Sequence, residues 1–263
     1  MKRKNIIAFS VALMAIRAFT SCSDEFLQDK KNYDYVDAST YNTFSGAKAR
    51  VDDIYAWCLP NTSSDPSWKY NSTGAADLQS KSTEEYSGFG SFVDPDAPMT
   101  SQSGNNTVPD YFHNSGNNIQ ASVWGRIRNC NDVIYGIENS TLSEEEKNEL
   151  LGQVYFFRAW CYYNLVKWYG GVPIITEVQE PVAGAITPRS TTKACVDFIC
   201  EDLERSAQLL ASFTENGGWP SSDFGRVTSG TALALKGRTL LLYASPLFNR
   251  KNDVERWKKA CLL

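Results

Sequence analysis

Few residue sets in this chain could carry out catalysis. His113 is the sole histidine, which leaves little for a Ser–His or Cys–His nucleophile. The Walker A, GxGxxG, HExxH and GxSxG fingerprints are all missing. Beyond Cys22 stand Cys58, Cys130, Cys161, Cys195, Cys200 and Cys261, with no CxxC pair among them. Cys195 and Cys200 are five residues apart, which places them on different faces of a helix. Close spacing therefore assembles no zinc site, and neither metal nor cofactor is expected. Most of these cysteines sit in apolar helical patterns and read as buried free thiols. A carboxylate pair is the remaining route to hydrolysis, since a glycosidase needs only two. Asp77, Glu84, Glu85, Asp94 and Asp96 crowd one polar stretch, where a solvated acidic surface is the simpler reading.

The elements around these residues are helical. Leu150, Val154, Phe157, Cys161, Leu165 and Trp168 recur at steps of three and four. Phe156, Trp160 and Tyr163 mark a second face, and Tyr155, Tyr162 and Tyr169 a third. A helix apolar nearly all round is buried by several neighbours. Ser143-Glu-Glu-Glu146 opens it as a capping box, and Gly170-Gly171 followed by Pro173 closes it with an expected left-handed cap. Ser39 to Trp57 predicts a first helix with Ala47, Val51, Ile54 and Tyr55 inward, ended by Pro60. Ile119 to Glu138 predicts a second, on Val123, Ile127, Cys130, Ile134 and Ile137. Ser190 or Thr191 caps a helix with Val196, Ile199, Leu203 and Leu210 inward. The next runs from Gly225 to Tyr243, with Ala232, Ala234 and Gly237 small enough for close packing. Between Pro60 and Asn118 periodicity lapses. A connection this long is commonly functional, and it carries Trp68, Tyr70, Tyr86, Tyr111 and Phe112.

The N-terminus reads as an export signal. Met1-Lys-Arg-Lys4 is a basic leader, and Ile6 to Phe19 an apolar stretch too short to span a bilayer. Phe19-Thr-Ser-Cys22 resembles a bacterial lipobox, which makes Cys22 the expected lipidation site. Residues 1–21 are then the signal peptide and 22–38 a lipidated tether. The chain's formal charge is −4. Residues 1–21 hold Lys2, Arg3, Lys4 and Arg17 and no acid, so without them 22 basic residues face 30 acidic ones. That balance argues against nucleic-acid binding.

Several blocks carry a resemblance. Phe157-Arg-Ala-Trp-Cys-Tyr-Tyr-Asn-Leu-Val-Lys-Trp-Tyr-Gly-Gly-Val-Pro173 resembles the signature helix of the SusD/RagB family of nutrient-binding outer-membrane lipoproteins. Trp124-Gly-Arg-Ile-Arg-Asn-Cys-Asn131, Pro188-Arg-Ser-Thr191 with Phe198-Ile-Cys-Glu-Asp-Leu203, and Gly225-Arg-Val-Thr228 onward resemble it too. The resemblance implies an all-α fold of tetratricopeptide-like helical hairpins with a long irregular loop insertion. The expected hairpins pair 119–138 with 143–169 and 189–212 with 226–245. Family members run about twice this length, so residues 39–263 would be the N-terminal helical domain, incomplete at its C-terminus, with an exposed apolar face near Leu262 and Leu263.

The implied function is glycan capture without catalysis. The protein would be lipid-anchored at the outer-membrane cell surface and would deliver oligosaccharide to a SusC-like TonB-dependent transporter. Sugar binding needs aromatic faces for pyranose rings and polar groups for hydroxyls. Trp68, Tyr70 and Tyr111, with Asp77 and Asn105, offer both outside the helical core. Phe156, Trp160 and Tyr163 read as packing residues instead. The alternative is a helical-repeat protein–protein interaction module with no ligand of its own.

Overall fold

The computed structural model describes residues 38–58, 123–179, 186–215 and 218–261. The compact unit that carries the helices begins at Tyr41. A 3-10 turn, Ala38–Asn42, leads into α1, Phe44–Cys58. Then come α2 (Val123–Glu138), α3 (Glu144–Tyr169), α4 (Thr192–Leu209), the short α5 (Ala211–Glu215), α6 (Ser229–Ala244) and α7 (Val254–Cys261). Among the described residues there is no β-strand. The first helix is not continuous from Ser39 as its sequence suggests. Thr43 interrupts it, its hydroxyl accepting the Gly46 N–H at 3.3 Å and so capping α1 where the 3-10 turn ends. Ala47, Val51 and Ile54 are buried as expected, while Tyr55 is half-buried.

The central helix α3 is the hub. Its capping box is complete: Glu146 N–H donates to Ser143 Oγ at 3.3 Å, and Ser143 N–H donates to Glu146 Oε2 at 2.9 Å. The Ser143 hydroxyl is the main reason the Glu146 carboxyl is held below its usual range. A depressed carboxylate favours the fold above its unfolded pKa, and that contribution fades as the pH falls through the folded value. Ser143→Ala should cost about 1 kcal/mol of unfolding free energy in urea titrations. A loss indistinguishable from zero would show that the three glutamates at the dipole's positive end suffice alone.

Packing explains why α3 is apolar all round. Leu150, Val154, Phe157, Cys161 and Leu165 are each 0% exposed. Tyr155 and Tyr162 are buried on another side. Phe156, Trp160 and Tyr163 stack along a third, with centroids 6.5 and 6.2 Å apart. Helices α1, α2, α4 and α6 all lie against it. The expected hairpins are present and antiparallel. Asn131 meets Arg158 while Glu138 meets Tyr155 across α2 and α3. Between α4 and α6, Lys236 pairs with Glu204 at one end, and Thr192 and Tyr243 face one cleft at the other.

Two expectations about glycines and small residues change. Gly170 has the positive φ foreseen, 69°, but ψ is −126°, so it sits in the mirror-image extended region rather than the left-handed helical one. Its N–H still closes the helix on Val166 O at 2.9 Å. Of Ala232, Ala234 and Gly237 only Ala232 is buried; Ala234 is exposed, and a Cβ at Gly237 would meet nothing within 4 Å. The buried positions of α6 are Ala232, Leu235, Thr239 and Ala244. Helix α7 buries no residue, and Val254 on it is exposed; Leu262 and Leu263 lie outside the described residues.

Candidate functional site

A buried polar network crosses the helical core. Arg158 on α3 grips Asp202 on α4 with two parallel bonds, Nε to Oδ2 and Nη2 to Oδ1, each 2.7 Å. Its remaining arm, Nη1, donates to Asn131 Oδ1 on α2 at 3.0 Å. All three residues are at most 5% exposed. The guanidinium also lies over the Tyr155 and Phe198 rings at 5.1 and 5.2 Å. Burial pushes the Asp202 carboxyl up, and Arg158 pulls it partly back. Arg158 in turn binds its proton more tightly than usual, because Asp202 more than offsets the burial of its charge. A fork-to-fork pair of this kind joins two helices at a fixed angle.

Asn131 hands the network on to the segment after α3. Its Nδ2 donates to Ile175 O at 3.0 Å and to Glu177 O at 3.4 Å. Tyr162 clamps the same strip from α3: its hydroxyl accepts Ile175 N–H at 2.8 Å and donates to Ile175 O at 3.2 Å. Burial pushes that hydroxyl's pKa up and keeps it neutral. The irregular segment 172–179 is thereby held beside the start of α2.

Between them lies a cleft of about 320 Å³, lined by Trp124, Ile127, Arg128, Ile175, Glu177 and Gln179. That volume is at the small end of ligand pockets. Trp124 is set edge-on to Tyr162, 6.4 Å between centroids, so the network also fixes its ring. Arg128 Nη1 donates to Gln179 O at 3.4 Å. An indole, a guanidinium, a carboxylate and an amide on one rim are the groups that hydrogen-bond hydroxyls and cover an apolar ring face. A second depression, near Tyr243 and Asp253, has its aromatic ring covered by Arg256 at 4.0 Å. Among the described residues no three His, Cys, Asp or Glu side chains group as a metal site.

A family model described as starch-binding and associating with the outer membrane matches residues 25–238. The chain belongs to the SusD-like family. A SusD-like protein of Bacteroides ovatus is 24% identical over 92% of this chain and 39% of its own length. The crystal structure of a SusD-like protein from Bacteroides fragilis matches with a TM-score of 0.53 at 25% identity, covering 86% of this chain and 40% of that one. A SusD-like carbohydrate-binding protein from the same species gives 0.55 at 18% identity, over 85% and 41%. The chain thus spans about two fifths of the length of the relatives it matches. The SusD-like family is carbohydrate-binding and outer-membrane-associated, and its solved members share the tetratricopeptide-like helical arrangement.

The SusD-like sequence blocks now have a physical reason. Asn131, Arg158 and Asp202 come from three different blocks and form one network. Arg189, from the same block as Asp202, donates to Gly171 O and Tyr169 O at 2.8 and 2.7 Å, capping the α3 carbonyls with a cation. Arg226, from the last, bonds Asp223, Asp52 and Gln153 and so ties α1 and α3 to the start of α6. These contacts hold the SusD-like scaffold together. The sugar-contacting residues expected from sequence, Trp68, Tyr70, Asp77, Asn105 and Tyr111, lie outside the described residues, as do Cys22, His113 and the acidic cluster from Asp77 to Asp96. The cleft residues Arg128, Glu177 and Gln179 were not among the expected contacts. Their one sequence signal is Trp124 and Arg128 at i and i+4, on one helix face.

Proposed function

We propose that this chain belongs to a lipid-anchored cell-surface protein that captures glycan and passes oligosaccharide to a SusC-like TonB-dependent transporter, by binding and not by catalysis. The match to a starch-binding, outer-membrane-associated family over residues 25–238 carries the reading. The Trp124 cleft supports it with a stacking surface and hydroxyl-binding groups on a rigid rim. Cys22 would carry the lipid, and Trp68, Tyr70, Asp77, Asn105 and Tyr111 would extend the contact surface.

The test is affinity electrophoresis of the chain from Ser23 onward in gels containing starch, with a glycan array beside it. Retardation by a glycan is expected, with no product released. Trp124→Ala should weaken it at least about tenfold, the equivalent of 1.4 kcal/mol. Arg128→Ala, whose bond to Gln179 O is long and exposed, should weaken it with no change in melting temperature. Equal mobility with and without every glycan would sink the reading. The interaction-module alternative draws on Leu241, Leu247 and Val254, which stand 54, 61 and 56% exposed. Transporter binding without glycan affinity would favour it.

A further inference from the structure

Three thiols from three helices meet in the core. Cys58, the last residue of α1, has its sulfur 3.9 Å from that of Cys161 on α3. Cys130 on α2 is also within reach of Cys58. None is more than 1% exposed. A disulfide needs about 2.05 Å between sulfurs, so the first pair must approach by about 2 Å. SusD-like proteins associate with the outer membrane, and the route there crosses a compartment where disulfides form.

We propose that Cys58 and Cys161 close into a disulfide as the chain folds after export, with a protein disulfide or a small-molecule disulfide as oxidant. One cysteine thiolate attacks the oxidant's disulfide and releases a thiol. The second thiolate then attacks the mixed disulfide, forming the Cys58–Cys161 bond and releasing the second thiol. Two protons and two electrons leave the protein, and the oxidant is reduced to two thiols. Timing follows from burial. In the folded chain neither sulfur reaches solvent, and burial pushes both thiols well above their usual range against the pull of Arg126. A buried neutral thiol is inert, so the bond forms as α1 docks on α3, before the pair is sealed from solvent. It would join positions 103 residues apart and anchor the end of α1 from which the stretch carrying Trp68 to Tyr111 departs. The proposal does not depend on the glycan reading.

The full chain is unfolded and reduced, then refolded either with reduced and oxidised glutathione or with reductant alone. Each product is alkylated under denaturing conditions without reduction, digested and mapped by mass spectrometry. The oxidative refold should contain a Cys58–Cys161 peptide pair about 2 Da lighter than the two thiol peptides together, with Cys130 alkylated. Chain folded in reductant and only then given oxidised glutathione should stay unlinked. The linked form should melt several degrees higher, a gain removed by dithiothreitol and missing in Cys161→Ala. Alkylation of both Cys58 and Cys161 after oxidative refolding, or a Cys58–Cys130 link in their place, would overturn the assignment. The same map on chain exported to a bacterial periplasm repeats the test without refolding.

Discussion

Arg158→Met should lower the unfolding free energy by about 4 kcal/mol, the cost of leaving one partner of a buried ion pair alone. The substitution keeps the volume of the α3 position but strands the Asp202 carboxylate, 6% exposed at its side chain, with its desolvation uncompensated. Asn131 Oδ1 loses its donor as well. Asp202→Leu should do comparable damage by stranding the guanidinium. The double variant is the informative one. With both charges gone the site is a dry pocket under Tyr155 and Phe198, and the pair should be roughly 2 kcal/mol better than the sum of the singles or more. Urea unfolding of the four proteins measures the cycle. Simple additivity would mean that Arg158 and Asp202 act separately, contrary to their two 2.7 Å bonds. The double variant should also loosen Ile175 and Glu177, because Asn131 is then free to turn away from their carbonyls. Faster amide exchange at Ile175, whose N–H donates to Tyr162 at 2.8 Å, would report it.

The same residues show how far sequence reasoning reaches. The helices were legible because burial repeats at 3.6 residues, and every inward residue expected for α2 is buried. The capping box at Ser143 was legible because it is local, as was the Thr191 cap, whose hydroxyl accepts Ala194 N–H at 3.1 Å. The role of Arg158 was not. An arginine in an apolar helix reads equally well as an exposed head on a buried stem, and its partners stand 27 and 44 residues away. In α6 Leu233 and Leu241 point outward while Leu235 points inward, so composition could not say which small residues meet a neighbour. The cleft was hidden for a further reason. One wall is an irregular strip whose position depends on side chains of α2 and α3, and no periodicity encodes such a contact. The resemblance identified the blocks that matter without saying what they do. The contacts assign them to the scaffold, and the sugar contacts expected from sequence fall between Pro60 and Asn118, outside the described residues.

Gly171→Ala should cost about 3 kcal/mol, at the upper end for inserting a methyl into a packed site. A Cβ there would lie 2.1 Å from Ser190 O, 3.0 Å from Thr192 N and 3.1 Å from Thr191 C. All three are backbone atoms, so no side chain can rotate aside, and the turn after α3 must separate from the segment before α4. That separation breaks a compact set of bonds: Ser190 N–H to Val172 O at 3.1 Å, Arg189 Nε to Gly171 O at 2.8 Å, and the two-way contact of Val172 with the Cys195 thiol. Losing Arg189 uncaps α3 at its negative end. Gly170→Ala is the control. It meets the strain of φ 69°, but its nearest new neighbour is Thr192 Oγ1 at 3.2 Å, which can yield. Strain of that kind costs about 1–3 kcal/mol, so Gly171→Ala should be the more damaging of the two in the same denaturant titration. The reverse order would mean that the close approach to Ser190 is relieved by a small backbone shift, and that the backbone angle of Gly170 is what the Gly-Gly pair protects. Because 172–179 follows directly and forms one wall of the Trp124 cleft, Gly171→Ala should weaken glycan retention as well, whereas Ser143→Ala, at the far end of α3, should leave it unchanged.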